Sequence, residues 1–186
     1  MNTMMERLLC WGGHICLLCS RLVNKMVRTC QLSRLKHGKR CEIRGKGIFT
    51  GDITLGDDVT IGVDSVFLST DARILIGNKV LFGPHVYIIS GNHQINQVGR
   101  YIADVQQKTE KCDEDVIIED DVWIGAGVII LKGVRIARGS VIGAGSVVTR
   151  STVPYSVNAG NPCRMIRMRF SEEEIRQHEE ILFGEQ

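Results

Sequence analysis

The chain has 186 residues, enough for one domain with short appendages, and its formal net charge is only +2. That charge is unevenly placed, because residues 1–47 hold ten Lys and Arg against two Asp and Glu, or +8, which leaves −6 for the remainder. These basic residues lack the interleaved aromatic side chains of nucleic-acid surfaces, so nucleic-acid binding is not predicted.

The chain contains seven Cys, an odd number whose spacings match no metal-binding motif. Cys16 and Cys19 form a CxxC pair, but this pair lies in an apolar run without a second pair, which favours buried thiols. Free thiols are typical of a reducing compartment, so we expect a cytoplasmic protein without a bound metal.

Residues 3–36 are predicted to be helical, because they contain no Pro and carry a rough apolar stripe. The stripe comprises Met5, Leu8, Leu9, Ile15, Leu18, Leu22, Met26 and Val27. Two interpretations of the stripe remain open. It packs on the rest of the protein or on a neighbouring subunit, or it rests peripherally on a membrane surface, since the cationic Arg21, Lys25 and Arg28 flank it. Its longest uncharged run has 13 residues, whereas a membrane-spanning helix needs about 20. The absence of an A-x-A cleavage site argues against a signal peptide.

From Ile43 onward the pattern changes to short strands at six-residue spacing. The residues that open the first clear units are Leu55, Ile61 and Phe67. The next such residue, Ile76, follows Phe67 by nine residues instead of six, so the repeat slips by three near residues 69–73. A slip of this kind pushes one corner of a repeat structure outward, and we expect Asp71 to project there.

The repeat then stops over residues 91–115, a polar stretch that reads GNHQINQVGRYIADVQQKTEKCDED. It restarts at residues 116–118. Insertions in repeat proteins form surface loops, often on the binding face. We therefore expect this segment to leave the repeat structure at one corner and to line a binding site.

Residues 118–153 hold the strongest pattern, six consecutive hexapeptides that read IEDDVW, IGAGVI, ILKGVR, IARGSV, IGAGSV and VTRSTV. Their first positions are all β-branched and aliphatic, namely Ile118, Ile124, Ile130, Ile136, Ile142 and Val148. A short fixed period predicts a β-solenoid, in which three hexapeptides make one coil of a triangular prism and the first positions fill its axis. A β-sandwich is the alternative, but its strands alternate with a period of two.

Residues 171–183 are predicted to form a C-terminal helix, because Ser171 and Glu174 make a capping box and three Glu occupy the first turn. We expect this helix to cover the end of the prism, whose last strands would otherwise expose hydrogen-bonding edges. The predicted division is an N-terminal helical segment at 1–42, a prism with its loop at 43–165, and a C-terminal helix at 166–186.

His93 differs from the other four His because it follows a prism strand directly and opens the loop. His14 and His178 lie in predicted helices, and His85 occupies a predicted turn. An imidazole with a pKa of about 6.5 suits a general base that takes the proton of a sugar or alcohol hydroxyl at neutral pH. From the residues alone, His93 is either such a base or a surface residue.

The order of these parts, hexapeptides, a GNH loop, VWIGAGVIILKGVRIARGSVIGAGSVVT and AGNPCRMIR, resembles the hexapeptide-repeat acyltransferases. The resemblance covers about residues 45–169. It is closest to the O-acetyltransferase branch that includes the galactoside, maltose, nodulation-factor, capsule and lipopolysaccharide sugar enzymes. It implies a mainly β fold, a left-handed parallel β-helix with N-terminal and C-terminal helices, assembled as a homotrimer with active sites between subunits.

The resemblance also implies that the donor is acetyl-CoA and that the acetyl group passes directly to the acceptor hydroxyl. His93 takes the place of the family's general base. Asp71 matches a position that contacts the acceptor, and Asn92, next to His93, is assigned the same role. The positions assigned to CoA binding are Trp123, Ala126, Ala144, Thr149, Arg150, Arg164 and Arg167.

Three other functions compete with O-acetylation. An N-acetyltransferase of an amino sugar or amine also needs a base, and Asp104, Glu110 or Asp113 of the loop would hold the ammonium group. A non-catalytic scaffold needs neither the loop His nor the Arg-rich tail. A γ-class carbonic anhydrase binds zinc through three His, and this prism offers only His85 and His93.

Overall fold

The computed structural model describes residues 22–184 as a β-solenoid between two terminal helices. Helix α1 includes residues 22–32, and helix α2 spans Glu172–Phe183. The strands between them are β1 (Lys36–His37), β2 (Glu42–Ile43), β3 (Gly47–Thr50), β4 (Ile53–Leu55), β5 (Thr60–Ile61), β6 (Ser65–Leu68), β7 (Ile74–Ile76), β8 (Leu81–Phe82), β9 (Tyr87–Ile89), β10 (Val116–Ile118), β11 (Trp123–Ile124), β12 (Ile129–Ile130), β13 (Arg135–Ile136), β14 (Val141–Ile142), β15 (Val147–Val148), β16 (Ser156–Ala159) and β17 (Arg164–Met168).

These strands form the three faces of a triangular prism. The first sheet has the order β1-β4-β7-β10-β13, the second β2-β5-β8-β11-β14-β16-β17 and the third β3-β6-β9-β12-β15. The coil strands pair in parallel, and only β17 joins its neighbour antiparallel. Each complete coil gives one strand to each sheet, so five complete coils are stacked over residues 36–148. The predicted left-handed parallel β-helix with terminal helices is thus confirmed.

The axis of the prism is filled as the six-residue period predicts. The first-position side chains of Ile124, Ile130 and Ile142 are fully buried. The fifth-position residues, such as Val122 and Val128, are buried with them. Burying one such aliphatic side chain stabilises the fold by about 1.5–3 kcal/mol, so the stacked rows hold the solenoid together.

The turns between strands explain the Gly positions. Fourth positions have positive φ, for example +67° at Gly127 and +71° at Gly145, where Gly avoids the steric cost of a Cβ atom. Glycines at second positions have another reason, because neighbouring coils stack closely there. A Cβ atom on Gly125 would lie 2.6 Å from the backbone N of Ala144 in the next coil.

The coils differ in length at one corner only among residues 36–150. Ile118 pairs with Ile136, an interval of three hexapeptides. Leu55 pairs with Ile76, and this interval is three residues longer, which confirms the predicted slip. Ile76 pairs in turn with Ile118, a much wider interval, because the loop lies between them. Both additions lie where the chain passes from the third sheet to the first.

The three corners of the prism differ in the loop, the small residues or the helix that lies at each. The three are the loop corner (69–73, 90–115 and 149–150), the alanine corner (125–128 and 143–146) and the helix corner (119–122 and 137–140).

The N-terminal end of the prism is covered by the end of α1 and the turn that follows it. Leu32 and Leu35 pack against the core, and Gln31 Nε2 donates a hydrogen bond of 2.5 Å to the carbonyl oxygen of Gly47. Two members of the predicted stripe, Leu22 and Met26, are instead exposed. The members that precede residue 22, with Cys16 and Cys19, lie outside the described residues.

The C-terminal helix has the predicted capping box at Ser171. It lies along the helix corner instead of covering the end of the prism, because its side chains contact Asp121 and Arg138 of that corner. Glu179 on α2 accepts a hydrogen bond of 3.0 Å from the Tyr155 hydroxyl. Arg169, just before α2, donates to Asp121 Oδ2 at 2.7 Å. The end of the core is covered by the buried thiol of Cys163, whose pKa burial raises. None of the helices described in residues 22–184 is long and apolar enough to cross a bilayer.

Candidate active site

His93 lies on the loop, four residues beyond the end of β9, and its side chain is exposed. Hydrogen bonds to other loop residues hold the residues on either side of it. The backbone N–H of Asn92 donates to the carbonyl oxygen of Cys112 at 2.9 Å. Gln94 Oε1 accepts from the Thr109 hydroxyl at 3.3 Å and from the Cys112 thiol at 3.2 Å. The backbone of His93 is therefore restrained while its imidazole faces solvent, free to contact a substrate.

The two ends of the loop are joined at its base. Gly91 and Asp113 form an antiparallel bridge, and the N–H of Glu114 donates to the carbonyl oxygen of Ser90 at 2.9 Å. Lys132, from the next coil, pairs with Glu114. The loop thus leaves the prism through a closed neck.

Asp113 is the best-buried charged group of this neck, with a side chain only 9% exposed. Its carboxylate accepts a hydrogen bond from the Thr70 hydroxyl and lies 3.0 Å from Lys108 Nζ. Burial raises the pKa of Asp113, but the hydrogen bonds from Thr70 and Lys108 outweigh burial and hold this pKa below its usual value. The hydrogen bond with Asp113 raises the pKa of Lys108. Both groups are therefore charged at neutral pH.

Asp71 projects from the loop corner as expected, and its side chain is 83% exposed. Its carboxylate lies 3.9 Å from Lys108 Nζ, so the slip at 69–73 and the loop are neighbours in successive coils. Asn92 is also exposed beside His93. The structure therefore brings the predicted base and the two predicted acceptor-side residues to one corner.

Ala126 and Ala144 lie one above the other at the alanine corner. The N–H of Gly145 donates to the carbonyl oxygen of Ala126 at 2.8 Å, which fixes the stacking of the two turns. Both Ala side chains are exposed. Small exposed side chains leave the backbone of this corner open to an extended ligand.

The other positions assigned to CoA are distributed over the prism. Thr149 and Arg150 are exposed at the loop corner. Arg164 and Arg167 are exposed on β17, at the outer edge of the second sheet. Trp123 is 56% exposed on the same sheet and pairs with Leu81 of β8.

Within one chain these assigned residues do not converge. His93, Thr149 and Arg150 share the loop corner, whereas Ala126 and Ala144 lie at the alanine corner, across the third sheet. The third sheet of the prism separates the two groups.

Sequence patterns did not single out Thr70, Gln94 or Lys108 as parts of this site. The sequence suggests Asp113 only as a partner for an ammonium group. Thr70 and Asp113 are 43 residues apart, and neither belongs to the six-residue pattern. The one sequence signal that could have linked them is that the slip and the loop fall at the same corner of successive coils.

The residues described here include no group of three or more His, Cys, Asp or Glu placed to hold a metal ion. The polar side chains that form hydrogen bonds in the loop and its neck include the Gln94 amide, the hydroxyls of Thr70 and Thr109, and the Asp113–Lys108 ion pair.

Comparison with known protein families gives a match to the bacterial transferase hexapeptide (six repeats) over residues 115–150. Among curated proteins, a probable macrolide acetyltransferase of Lysinibacillus sphaericus is 34% identical over 118 residues, which cover 54% of this chain and 66% of that protein. The chain spans from 51% to 66% of the length of the curated relatives it matches.

Two solved structures are also similar. A maltose O-acetyltransferase of Clostridium difficile 630 is 35% identical, with a TM-score of 0.56, and the match covers 73% of this chain and 67% of that one. A hexapeptide-repeat-containing acetyltransferase of Vibrio cholerae O1 biovar eltor, complexed with acetyl-CoA, is 28% identical, with a TM-score of 0.69 and 91% of each chain covered.

Proposed function

The chain belongs to the hexapeptide-repeat acyltransferase family, and we propose on that premise that it transfers an acetyl group from acetyl-CoA to a hydroxyl of a sugar or surface-polysaccharide precursor. The observation that carries this proposal is the environment of His93. A solvent-facing imidazole lies on a restrained backbone in the long loop that interrupts the repeat. Such a group suits proton removal from a hydroxyl.

The proposed reaction is a direct transfer. Neutral His93 takes the hydroxyl proton while the acceptor oxygen attacks the thioester carbonyl carbon. The C–O bond forms, the C–S bond breaks, and CoA leaves as a thiol after receiving a proton from the imidazolium. Backbone N–H groups of the prism edge are candidates to stabilise the oxyanion between these steps.

The proposed donor site is the alanine corner. Its exposed backbone and small side chains suit the narrow pantetheine arm of acetyl-CoA, and the relative from Vibrio cholerae binds the same donor. Trp123 would contact that arm. The phosphates of CoA would pair with the basic residues, because a planar guanidinium binds phosphate through two parallel hydrogen bonds. These residues, with the Thr hydroxyl beside them, are Thr149, Arg150, Arg164 and Arg167.

A homotrimer would unite the two corners. In the proposed assembly the loop corner of one subunit, with His93, faces the alanine corner of the next. The exposed apolar side chains on the prism faces support an assembly of this kind, since Trp123 and Leu81 lie side by side on the second sheet, each more than half exposed.

N-acetylation of an amino sugar or amine is the alternative, and it would rest on Asp104, which is exposed, and not on Asp113. Of the loop carboxylates considered for holding an ammonium group, Asp113 is already bound to Lys108 and Thr70. An exposed hydroxyl acceptor needs no such partner. Asp71 remains exposed and would accept a hydrogen bond from another hydroxyl of the sugar.

The test is a thiol-release assay with acetyl-CoA and a panel of free sugars, glycolipids, amino sugars and amines, followed by mass spectrometry of the products. We expect CoA release only with hydroxyl acceptors and a mass increase of one acetyl group in an alkali-labile ester. Turnover confined to amines would replace O-acetylation by N-acetylation. No acetyl-CoA binding and no turnover with any acceptor would favour the scaffold.

The N-terminal helix supports a second proposal, peripheral contact with an anionic membrane surface. Leu22, Val23 and Met26 are exposed on α1 beside Lys25 and Arg28. Apolar side chains flanked by cations bind anionic bilayers. Cosedimentation of the full chain with phosphatidylglycerol vesicles, but not with phosphatidylcholine vesicles, is expected. Loss of trimers without any vesicle binding in a Leu22→Ser/Met26→Ser variant would assign the stripe to subunit packing instead.

A further inference from the structure

Three segments that lie far apart in the sequence meet at the carboxylate of Asp113. Thr70, from the slipped coil, donates a hydrogen bond to Asp113 Oδ1. Lys108, from the loop interior, lies 3.0 Å from Asp113 Oδ2. Gly91, at the loop entrance, is bridged to Asp113 through the backbone. The carboxylate therefore joins the prism to both ends of the loop.

The glycine of the GNH sequence is explained by this junction. A Cβ atom on Gly91 would overlap both Asp113 Oδ1 and Thr70 Oγ1. The φ angle of Gly91 is not in the left-handed region, so conformational freedom does not explain the glycine. The reason is the close packing under the carboxylate, which leaves no room for a Cβ atom. His93 follows two residues later.

The slip at residues 69–73 has a role in the same junction. It places Thr70 where its backbone N–H donates to Ser90 Oγ at 3.1 Å and where its hydroxyl reaches Asp113. Ser90 is fully buried at the end of the last strand before the loop. The three extra residues of one coil thus support the long insertion of the next coil.

From these contacts we propose that Asp113 and Thr70 are positioning residues for His93. They hold the loop neck so that the restrained His93 backbone presents its imidazole at a fixed place on the loop corner. This inference rests on the proposed function, in which His93 is the base. A displacement of about 1 Å at a catalytic group can lower turnover about 100-fold, so a loosened neck should act on kcat.

A pair of variants at one position tests the hydrogen bond. Thr70→Val removes the hydroxyl at nearly constant shape, and Thr70→Ser keeps it. With acetyl-CoA and methyl β-galactoside, or the best hydroxyl acceptor of the panel, we expect Thr70→Val to lower kcat about 10- to 100-fold. The KM for acetyl-CoA should change less than about twofold, because the hydrogen-bond partners of Thr70, Ser90 and Asp113, are not among the residues assigned to CoA. Thr70→Ser should restore most of kcat.

Asp113→Asn tests the charge, and Asp115→Asn is its matched control. Asp115 pairs with Arg73 at 2.6 Å at the same corner, and its contacts are with Arg73 instead of the loop. We expect Asp113→Asn to lower kcat and Asp115→Asn to retain it. Trypsin, which cuts after Arg100, Lys108 and Lys111, should cleave the loop faster in Asp113→Asn and Thr70→Val.

The outcomes separate the two proposals. If His93→Ala abolishes turnover and Thr70→Val retains full kcat, the positioning role is overturned and the proposed base stands. If His93→Ala retains turnover, both are overturned. A fall of kcat in Thr70→Val that Thr70→Ser does not reverse would also overturn the positioning role, because the hydroxyl would then not be the cause.

Discussion

The prism has a regular half and an interrupted half, and they differ at one corner. From Ile118 to Val148 each coil consists of three hexapeptides, with fully buried first positions and tightly stacked turns. Before Ile118, the loop corner gains three residues in one coil and a long loop in the next. The other two corners keep their turns. Regular stacking gives a rigid edge, and an insertion at a single corner adds a side-chain site without disturbing the core.

In the proposed division of labour, the alanine corner binds the pantetheine arm of the donor, and His93 at the loop corner activates the acceptor. The largest expected effect follows from the interrupted corner. His93→Ala should lower kcat by about two to four orders of magnitude, because the hydroxyl loses its base. Steady-state thiol release measures it.

His85→Asn is the matched control for that variant. His85 is an exposed His on a turn of the prism with a φ of +56°, a conformation that Asn tolerates. The His85→Asn variant should retain kcat within about twofold of the wild-type value. If kcat fell equally in His93→Ala and His85→Asn, the loss would be an effect of removing any surface imidazole, and His93 would not be the base.

A second comparison sets a coil residue against a loop residue of the same type. Ile130 is fully buried in the regular half, whereas Ile95 in the loop is 65% exposed. Ile130→Ala should lower the free energy of unfolding by about 2–5 kcal/mol, because it leaves a cavity on the prism axis. Ile95→Ala should change it by less than about 0.5 kcal/mol. Denaturant unfolding followed by circular dichroism provides both values, and similar values for the two would contradict the packing described.

A smaller effect concerns the donor phosphates. Arg150→Gln should raise the KM for acetyl-CoA about tenfold, which corresponds to about 1.4 kcal/mol, the strength of a charge-assisted hydrogen bond. Arg176→Gln is the control, since Arg176 is an exposed residue of α2 paired with Glu173. A KM that rises equally in both variants would indicate a general effect of net charge.

The smallest effect is a pH dependence in the first coils. Arg40 donates a hydrogen bond to Asp58 that lowers the pKa of this carboxyl to about 2. A carboxyl whose pKa is lowered on folding stabilises the fold above its unfolded pKa, and this stabilisation disappears as the pH falls toward 2. Asp58→Asn, which suits the φ of +59°, should be slightly less stable than the wild type at pH 6 but not at pH 2. An unchanged difference at both pH values would contradict the pairing.

Much of this fold could be predicted because the six-residue period directly encodes which side chains face the axis. The slip before Ile76, the loop limits and the capping box at Ser171 could be predicted for the same reason, since each depends on local spacing. The contacts in the neck of the loop could not be predicted from the sequence. Asp113 and Thr70 meet only because an insertion and a slip share a corner, and no period links them. The helix α2 was misplaced because its partners, such as Asp121 and Tyr155, are turn residues outside the apolar rows.

In the mechanism proposed, donor binding and acceptor activation depend on different residues. The most direct test is an acetyl-CoA titration by calorimetry on the His93→Ala preparation whose turnover has been measured. We expect a dissociation constant within about twofold of the wild-type value together with the loss of turnover. A dissociation constant that weakens in proportion to the lost turnover would contradict it, because His93 would then be a donor-binding residue and not the base.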